Sequence, residues 1–261
     1  APIYATKLVA GFIEDKLSEY GVKGQELRII DPEADGVNIG KFKVDAFRVS
    51  HSVPDGVVFC ITTPVGKVFH VPDYKFDWTP VDQKPFDIGK AAFLAKGGVL
   101  AMASDSLGST SEGYTHSELD IEQAIELIIN GAKGRVFFST ISSNISRMQQ
   151  VLRVAKLSGR KVVLIGRSIE KKTEIAKRLG YLHYEAGAVV SIKEASRLSD
   201  NRVIFIISGS YGQTGSALYR AARDEHQFLK IKNGDVVVFS GDPAPPGTQA
   251  QVNYVVDNLI E

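Results

Sequence analysis

The alternation of apolar and polar residues separates the chain into two parts. The first reads as an opening strand, a helix over residues 6–20, and strands over 27–30, 41–50, 57–63 and 67–71. The pattern changes near Pro85, after which continuous apolar runs alternate with amphipathic helices. Such runs are typical of parallel strands covered on both faces. We therefore predict an α/β chain in which antiparallel strands precede a doubly wound parallel sheet.

The second part supplies the predicted parallel sheet and its helices. Its strands are predicted over residues 98–103, 135–140, 161–165, 202–207 and 235–240. Its helices are predicted over residues 117–129, 143–157, 169–179, 192–198, 215–222 and 249–261.

The predicted hairpin of residues 57–71 suggests a candidate pair of metal ligands. Its turn is Pro64-Val65-Gly66, and pairing Thr63 with Lys67 would place Asp73 opposite the start of the hairpin. His51 follows the preceding strand, so His51 and Asp73 would leave two strands at the same edge of one sheet. Imidazole and carboxylate groups at strand ends are common metal ligands. The alternative is a loop histidine and a turn aspartate with no joint role.

Small polar residues follow the five predicted strands of the second part, where ligands of open α/β sheets bind. They lie in the segments 104–106, 141–144, 166–168, 208–213 and 240–243. Four of these segments lead into helix N-termini, which suit phosphate. Serine and glycine are also ordinary capping and turn residues. A phosphosugar- or nucleotide-handling enzyme is one interpretation, although the glycine motifs of dinucleotide and P-loop sites are absent from the sequence.

Composition narrows the class of protein. The 261 residues suit one large domain or two modest ones, and 31 Lys and Arg against 30 Asp and Glu give no global basic field. The single cysteine, Cys60, is expected to be a buried apolar residue, and it excludes an internal disulfide framework. Because no apolar run approaches roughly 18 residues, we expect no membrane span and a cytoplasmic location.

Several segments together resemble ribonuclease J, in the β-CASP branch of the metallo-β-lactamase superfamily. They are APIYATKL, FRVSHSVPD, HVPDYKFD, ASDS followed by GYTHSE, STISSNISRMQQ, VLIGRS, SGSYGQTGSAL and KIKNGDVVVFS. The resemblance covers essentially the whole chain. It implies a metallo-β-lactamase αββα sandwich with a two-zinc site and an inserted β-CASP domain that binds RNA. The implied limits are residues 1–88 for the first core, 89–243 for the β-CASP domain, and 244–261 for the return to the core.

The resemblance also assigns roles to individual residues. His51 is similar to a zinc-binding histidine, Asp73 to the carboxylate that bridges the metals, and Asp105 to the acidic residue that opens the β-CASP motifs. Asp73 and Asp105 are thus the implied catalytic residues. The implied RNA or phosphate contacts are Ser106, Ser142, Ser143, Asn144, Arg167, Ser168, Ser210 and Gln213.

The chain departs from the family pattern in two ways. The H-x-H-x-D-H, S-G-H and P-V-H-G-E motifs are absent from the sequence, so we expect it to be a central portion of a longer protein. In addition, Pro72 replaces a glycine, Ser146 stands where histidine is common, and Gln213 and Gln249 stand where glutamates are common. These changes leave open a degenerate, non-catalytic member.

The main hypothesis is a longer, metal-dependent ribonuclease that acts on single-stranded RNA as an exonuclease, an endonuclease or both. Two Zn²⁺ ions would activate a hydroxide that attacks the phosphodiester. This chain alone has too few ligands and is expected to be inactive. The alternative is a non-catalytic RNA-binding subunit, and the resemblance further implies a dimer or tetramer.

Overall fold

The chain divides between Ile121 and Glu122 into two units, in a computed structural model that describes residues 1–110, 112–241 and 247–260. The first unit contains the antiparallel strands and the second contains the parallel sheet. The predicted fold class is confirmed in this respect. The family-derived limits at residues 88 and 243 stay predictions, and residue 243 lies outside the described residues.

The elements of the first unit begin with a strand and a helix. In chain order they are β1 (Ile3–Ala5), α1 (Lys7–Glu19), β2 (Leu27–Ile29), β3 (Val37–Ile39), β4 (Phe42–Arg48), β5 (Val57–Thr63), β6 (Gly66–Val71), α2 (Ile88–Ala95) and β7 (Ala101–Ser104). Helix α3 (Glu118–Gly131) crosses the division between the units. Strand β3 and helix α2 are additions to the prediction, which gave a polar turn over residues 31–40 and no element over 88–95.

The main sheet of the first unit has the order β3-β4-β5-β6-β7. Its neighbours are antiparallel except β6 and β7, which run parallel. The prediction that residues 98–103 begin the second sheet was therefore wrong, because β7 pairs with β6. An apolar run of four or five residues does not specify which sheet it joins.

The second half of strand β4 is buried on both faces of this sheet. Phe47 packs with Phe69 and with Leu94 of α2, whereas Ala46 packs on the other side with Ile30. The expected burial of Cys60 is confirmed. Two layers thus cover the strands that lead to the candidate site.

The second unit contains four parallel strands and five helices among its described residues, besides most of α3. They are β8 (Val136–Ser139), α4 (Ile145–Leu157), β9 (Lys161–Ile165), α5 (Arg167–Leu179), α6 (Ile192–Ala195), β10 (Val203–Ile207), α7 (Ala217–Ala222), β11 (Val236–Phe239) and α8 (Gln249–Ile260). The sheet order is β11-β8-β10-β9, and every neighbouring pair is parallel.

Both faces of this parallel sheet are buried. Phe137 and Phe205 stack 4.7 Å apart on one face, where Leu218 of α7 and Val255 of α8 pack against them. The alternate residue Phe138 is 1% exposed, as expected for side chains that point to the opposite face. The carboxyl ends of β8, β9 and β10 coincide, since Ser139 pairs with Ile207 and Ile207 with Ile165.

No helix within the described residues is long and apolar enough to cross a membrane.

Candidate functional site

The candidate site of the first unit lies beyond the ends of β4 and β6. The backbone N–H of Lys75 donates to the carbonyl oxygen of Ser50 at 2.9 Å, in an isolated antiparallel bridge. This bridge continues the sheet past its regular strands. It brings the residue after Ser50, His51, close to the residues that follow β6.

His51 and Asp73 lie close together. Their Nε2 and Oδ2 atoms are 3.8 Å apart, and the side chain of His51 is 27% exposed against 74% for Asp73. The Nδ1 atom of His51 accepts a long hydrogen bond of 3.5 Å from the N–H of Val53. The hairpin register differs from the prediction by one residue, because Thr63 pairs with Gly66. His51 and Asp73 still lie close together, because the Ser50–Lys75 bridge holds the segment after β6 next to the end of β4.

The imidazole of His51 is held in its neutral form. Burial lowers the pKa of His51 below its ordinary value, although the negative charges of Asp73, Asp105 and Glu118 act in the opposite direction. A neutral imidazole is the form that binds metal or accepts a proton. The contact with Asp73 is therefore not an ion pair at neutral pH.

Asp105 reaches the same region from the neighbouring strand. Val71 and Ser104 pair at the parallel ends of β6 and β7, and the N–H of Asp105 donates to the carbonyl oxygen of Val71 at 2.9 Å. The carboxylate of Asp105 accepts from the N–H of Leu107 at 2.9 Å. The pairing of β7 with β6, which the sequence did not predict, thus places Asp105 beside the His51 region.

A buried carboxylate, that of Asp77, lies in a hydrogen-bond network with residues next to His51, Asp73 and Asp105. Asp77 is 3% exposed and accepts from the N–H of Thr79 at 2.9 Å and of Glu118 at 2.8 Å. Lys75 lies 3.4 Å from Asp77 and 3.0 Å from Glu118. Burial alone would raise the pKa of Asp77, but these hydrogen bonds and the Lys75 ammonium hold it below its ordinary value.

Sequence reasoning missed the roles of Lys75, Asp77 and Glu118. All three lie in the segments HVPDYKFD and GYTHSE, so the signal was present as residue types without a geometry. Because Lys75 also forms the backbone bridge to Ser50, this network fixes the segment that follows Asp73. These residues position the site.

The described residues do not by themselves fit a two-zinc centre. Within them, no group of three or more His, Cys, Asp or Glu side chains is close enough to hold a metal ion. His51 and Asp73 are suitable ligand types, but zinc sites require three or four ligands.

A cleft of about 740 Å³ in the first unit adjoins this region. Asp105 and Ser106 line it together with Phe76, Tyr114 and His116. Ser106 is exposed, so its hydroxyl is accessible from the cleft. Exposed aromatic rings and polar groups in one cleft are suited to bases and phosphates of a single strand.

The other predicted contacts lie at the carboxyl edge of the parallel sheet in the second unit. Ser168 donates from its hydroxyl to the hydroxyl of Ser142 at 2.8 Å, which joins the segments after β9 and β8. Ser143 is half-buried beside Ser142, and the exposed Arg167 is the first residue of α5. These side chains form one polar surface at this edge.

Three further predicted contacts are buried or form hydrogen bonds within the protein. The side chain of Asn144 caps α4 by accepting from the N–H of Arg147 at 2.9 Å. Ser210 is 4% exposed, and Gln213 accepts from the N–H of Tyr211 at 3.3 Å. Asn144 and Ser210 therefore shape the edge, whereas the exposed Gln213 remains accessible.

Two buried hydroxyls at this edge were not predicted. The side-chain oxygens of Ser139 and Thr140, at the end of β8, have no hydrogen-bond partner within the described residues. Both residues are at most 1% exposed. Their position after an apolar run was the available signal, but sequence alone does not show that the partners are missing.

Of the substituted positions, Ser146 is buried in α4, and Gln249 begins α8 with a hydrogen bond of 2.7 Å to Asn253. Gln213 is exposed, and Pro72 directly follows β6.

Comparison with known proteins finds a matching domain and several similar proteins. Residues 133–259 match the family described as "Ribonuclease J, beta-CASP domain". "Ribonuclease J" of Helicobacter pylori J99 is 37% identical over 262 residues, which covers 100% of this chain and 38% of that protein. "Ribonuclease J" of Thermus thermophilus is 38% identical over 99% of this chain and 45% of its own. "Ribonuclease J2" of Bacillus subtilis 168 is 34% identical over 99% of this chain and 46% of its own.

A solved structure shares the fold. The crystal structure of a protein of unknown function from Enterococcus faecalis V583 aligns with 99% of this chain and 68% of its own, with a TM-score of 0.58 and 14% identity. The mixed α/β fold and the match over residues 133–259 are consistent with a β-CASP domain of the metallo-β-lactamase superfamily. Over its whole length the chain is similar to ribonucleases J. It spans 38% to 46% of the length of these curated relatives.

Proposed function

We propose that this chain is part of a longer ribonuclease that hydrolyses phosphodiester bonds of single-stranded RNA. The similarity to ribonucleases J over the full chain supports the reaction class. The observation that carries the site is the approach of His51 to Asp73, with Asp105 and Glu118 charged nearby. Hydrolysis proceeds by exonucleolytic action from the 5′ end, endonucleolytic action, or both.

The proposed catalytic contribution of this chain follows from the charges at the site. The imidazole of His51 and the carboxylate of Asp73 lie close together, and both groups are suitable metal ligands. We propose two Zn²⁺ ions in the longer protein, with His51 and Asp73 among their ligands. Since the described residues lack a complete ligand set, the chain alone is expected to bind RNA without hydrolysing it.

The proposed RNA contacts lie on Ser106 in the first unit and at the carboxyl edge of the second unit. Ser142, Ser143 and Ser168 offer hydroxyl groups there, and Arg167 offers a guanidinium at the start of α5. Hydroxyl and guanidinium groups at a helix N-terminus match phosphate oxygens. The proposal includes a cytoplasmic location and a dimer or tetramer, by analogy with the family.

The test uses the longer protein and 5′-monophosphorylated single-stranded RNA. We expect bound zinc by elemental analysis, cleavage that stops after chelation, and recovery when zinc is restored. Cleavage that is insensitive to chelators, or a full-length protein that contains no metal, would contradict the proposal. The 261-residue chain serves as the control that binds RNA without cleavage.

The alternative is a non-catalytic RNA-binding subunit. The residues at Pro72, Ser146, Gln213 and Gln249 agree with it, because the family pattern has other residues there. The sequence that precedes residue 1 in the longer protein discriminates the two. An intact H-x-H-x-D-H motif supports the enzyme, whereas its loss supports the binding subunit.

A further inference from the structure

A pocket of about 820 Å³ opens at the amino-terminal edge of the parallel sheet in the second unit. It is lined by residues from the end of α4, the start of β9, the end of α5 and the residue before β10. Lys161 and Ile165 begin and end β9, so the pocket lies about 13 Å from the carboxyl edge. It is therefore separate from the RNA contacts proposed above.

Positive charge dominates the lining of this pocket. Its positively charged residues are Arg153, Lys156, Arg160, Lys161, Lys177 and Arg202, against the single carboxylate of Glu185. Glu185 forms an ion pair of 2.5 Å with Lys156, and both side chains are largely exposed. Such an exposed pair contributes little and opens readily for a competing anion.

Some of these cations have structural tasks. The buried Arg160 donates to the carbonyl oxygens of Ile129, Ala132 and Gly134, and Arg153 lies 3.2 Å from Glu122. These interactions account for two of the six positive charges in the lining.

Three other cations are available to a ligand. The guanidinium of Arg202 has no hydrogen bond or ion pair in the part of the chain that is described, and it lies beside Gly159. Lys161 donates once, to the carbonyl oxygen of Gly187 at 2.6 Å, so two of its three N–H groups remain. Lys177 lies over the ring of Tyr184, 3.8 Å from its centre. Lysines in the last turn of a helix also offset its dipole, but Lys161 and Arg202 lie outside α4 and α5.

The rest of the lining is partly apolar, and hydrogen bonds hold it in place. Leu152 and Leu182 are 4% and 1% exposed, and Ala188 lies in the same lining. Gln149 donates to the carbonyl oxygen of His183 at 3.0 Å and accepts from its N–H at 2.7 Å. These paired bonds fix the segment that presents Leu182 and Tyr184.

We propose that this pocket binds a nucleotide. Lys161 and Arg202 contact its phosphate groups, and the apolar wall of Leu152, Leu182 and Ala188 receives its ring system. The volume lies within the range of about 300 to 1,000 Å³ that is usual for small-ligand sites. A lining that combines apolar side chains with available cations is suited to a ligand that joins a ring to phosphates, rather than to an RNA backbone alone.

The test titrates the 261-residue chain with ADP, adenosine and pyrophosphate in a calorimeter. We expect saturable 1:1 binding of ADP, and binding at least about tenfold weaker for adenosine and for pyrophosphate, because each lacks half of the recognised groups. Arg202→Gln removes the free charge, and Ala186→Trp fills the pocket without changing charge. Both variants should weaken ADP binding by about tenfold or more.

Lys193→Gln is the charge-matched control, because Lys193 is exposed on α6 outside the pocket lining. It should bind ADP as the original chain does, and unchanged unfolding midpoints should accompany all three variants. Absence of saturable ADP binding, or equal ADP binding by Arg202→Gln, Ala186→Trp and Lys193→Gln, would overturn the proposal. So would a single-stranded RNA decamer that displaces ADP and binds more tightly, since the pocket would then be an RNA contact.

Discussion

The Nε2 atom of His51 lies 3.8 Å from Oδ2 of Asp73, although the two residues follow different strands, β4 and β6. The carboxylate is largely exposed and the imidazole is mostly buried. This difference matters because burial lowers the pKa of His51, which favours the neutral imidazole. Because the imidazole is neutral, His51 and Asp73 can act as ligands without first breaking an ion pair between them.

Replacing either member of this pair should abolish RNA cleavage by the longer protein. We expect His51→Ala and Asp73→Asn each to reduce cleavage by more than about 100-fold, since even groups that support metal ligands affect activity by about 10- to 100-fold. Binding of RNA, measured by fluorescence anisotropy, should change little, because the proposed RNA contacts lie elsewhere. His226→Ala is a control in the second unit. Retained cleavage in both variants would exclude the pair from the reaction.

Asp77 should stabilise the first unit in a pH-dependent manner. Its pKa is below the ordinary value in the folded chain, so its contribution is complete above the unfolded pKa of about 3.9 and is lost as pH falls through the folded pKa. We expect Asp77→Asn to reduce the free energy of unfolding by about 2 kcal/mol at pH 7. Urea unfolding across pH 3 to 7 measures this.

The difference between Asp77→Asn and the original chain should shrink as pH falls below about 4, and it should vanish below the folded pKa, where the carboxylate is protonated in both states. Asp82→Asn is a suitable comparison, because Asp82 is more exposed; it lies 3.4 Å from Arg48 and accepts from the N–H of Lys84 at 3.0 Å. A difference for Asp77 that grows with acidity would contradict the assigned direction of the pKa.

Arg167 should contribute to RNA affinity through phosphate. Arg167→Gln removes one exposed charge at the start of α5. We expect affinity for single-stranded RNA to fall about fivefold to tenfold, with a slope of log affinity against log salt that decreases by about one. Lys193→Gln, with the same charge change at a distant helix, should leave the slope unchanged. An equal loss in both variants would indicate only a nonspecific effect of net charge.

Gly212 should be required for the close approach of α8 to the loop after β10. Its φ is 67°, and an added Cβ would lie 2.3 Å from the carbonyl oxygen of Gln251. We expect Gly212→Ala to lower the free energy of unfolding by about 3 kcal/mol or more, because the overlap is with backbone. Urea unfolding of the chain measures the effect.

Gly215→Ala provides the matched control for backbone strain. Gly215 has a φ of 77°, but an added Cβ meets nothing within 4 Å. Its replacement should cost only about 1 to 2 kcal/mol, from the positive φ alone. Equal costs at the two positions would show that the approach to Gln251 is unimportant.

The elements of the second unit were predictable because their signals are local. The apolar run over residues 161–165 specifies β9, which has those limits in the structure. Polar segments at both ends stop such a run, and the amphipathic pattern of α5 continues to Gly180, where a left-handed residue ends the helix. Residues that lie close together in the sequence determine these features.

The assembly of the site was only partly predictable. The sequence indicated that His51 and Asp73 leave neighbouring strands, and the structure places them together despite a hairpin register that differs by one residue. The metal and RNA roles of these residues stay predictions. The position of Asp105 depends on β7, whose pairing with β6 was not predicted.

The sequence by itself determined most strands and helices, the resemblance to ribonuclease J, and the residue types at the strand ends. Tertiary structure decided the partner of β7, the Lys75–Asp77–Glu118 network and the basic pocket beside Lys161 and Arg202. The physical reason is that periodicity and capping depend on residues a few positions apart, whereas pairing and charge clusters depend on groups that only folding brings together.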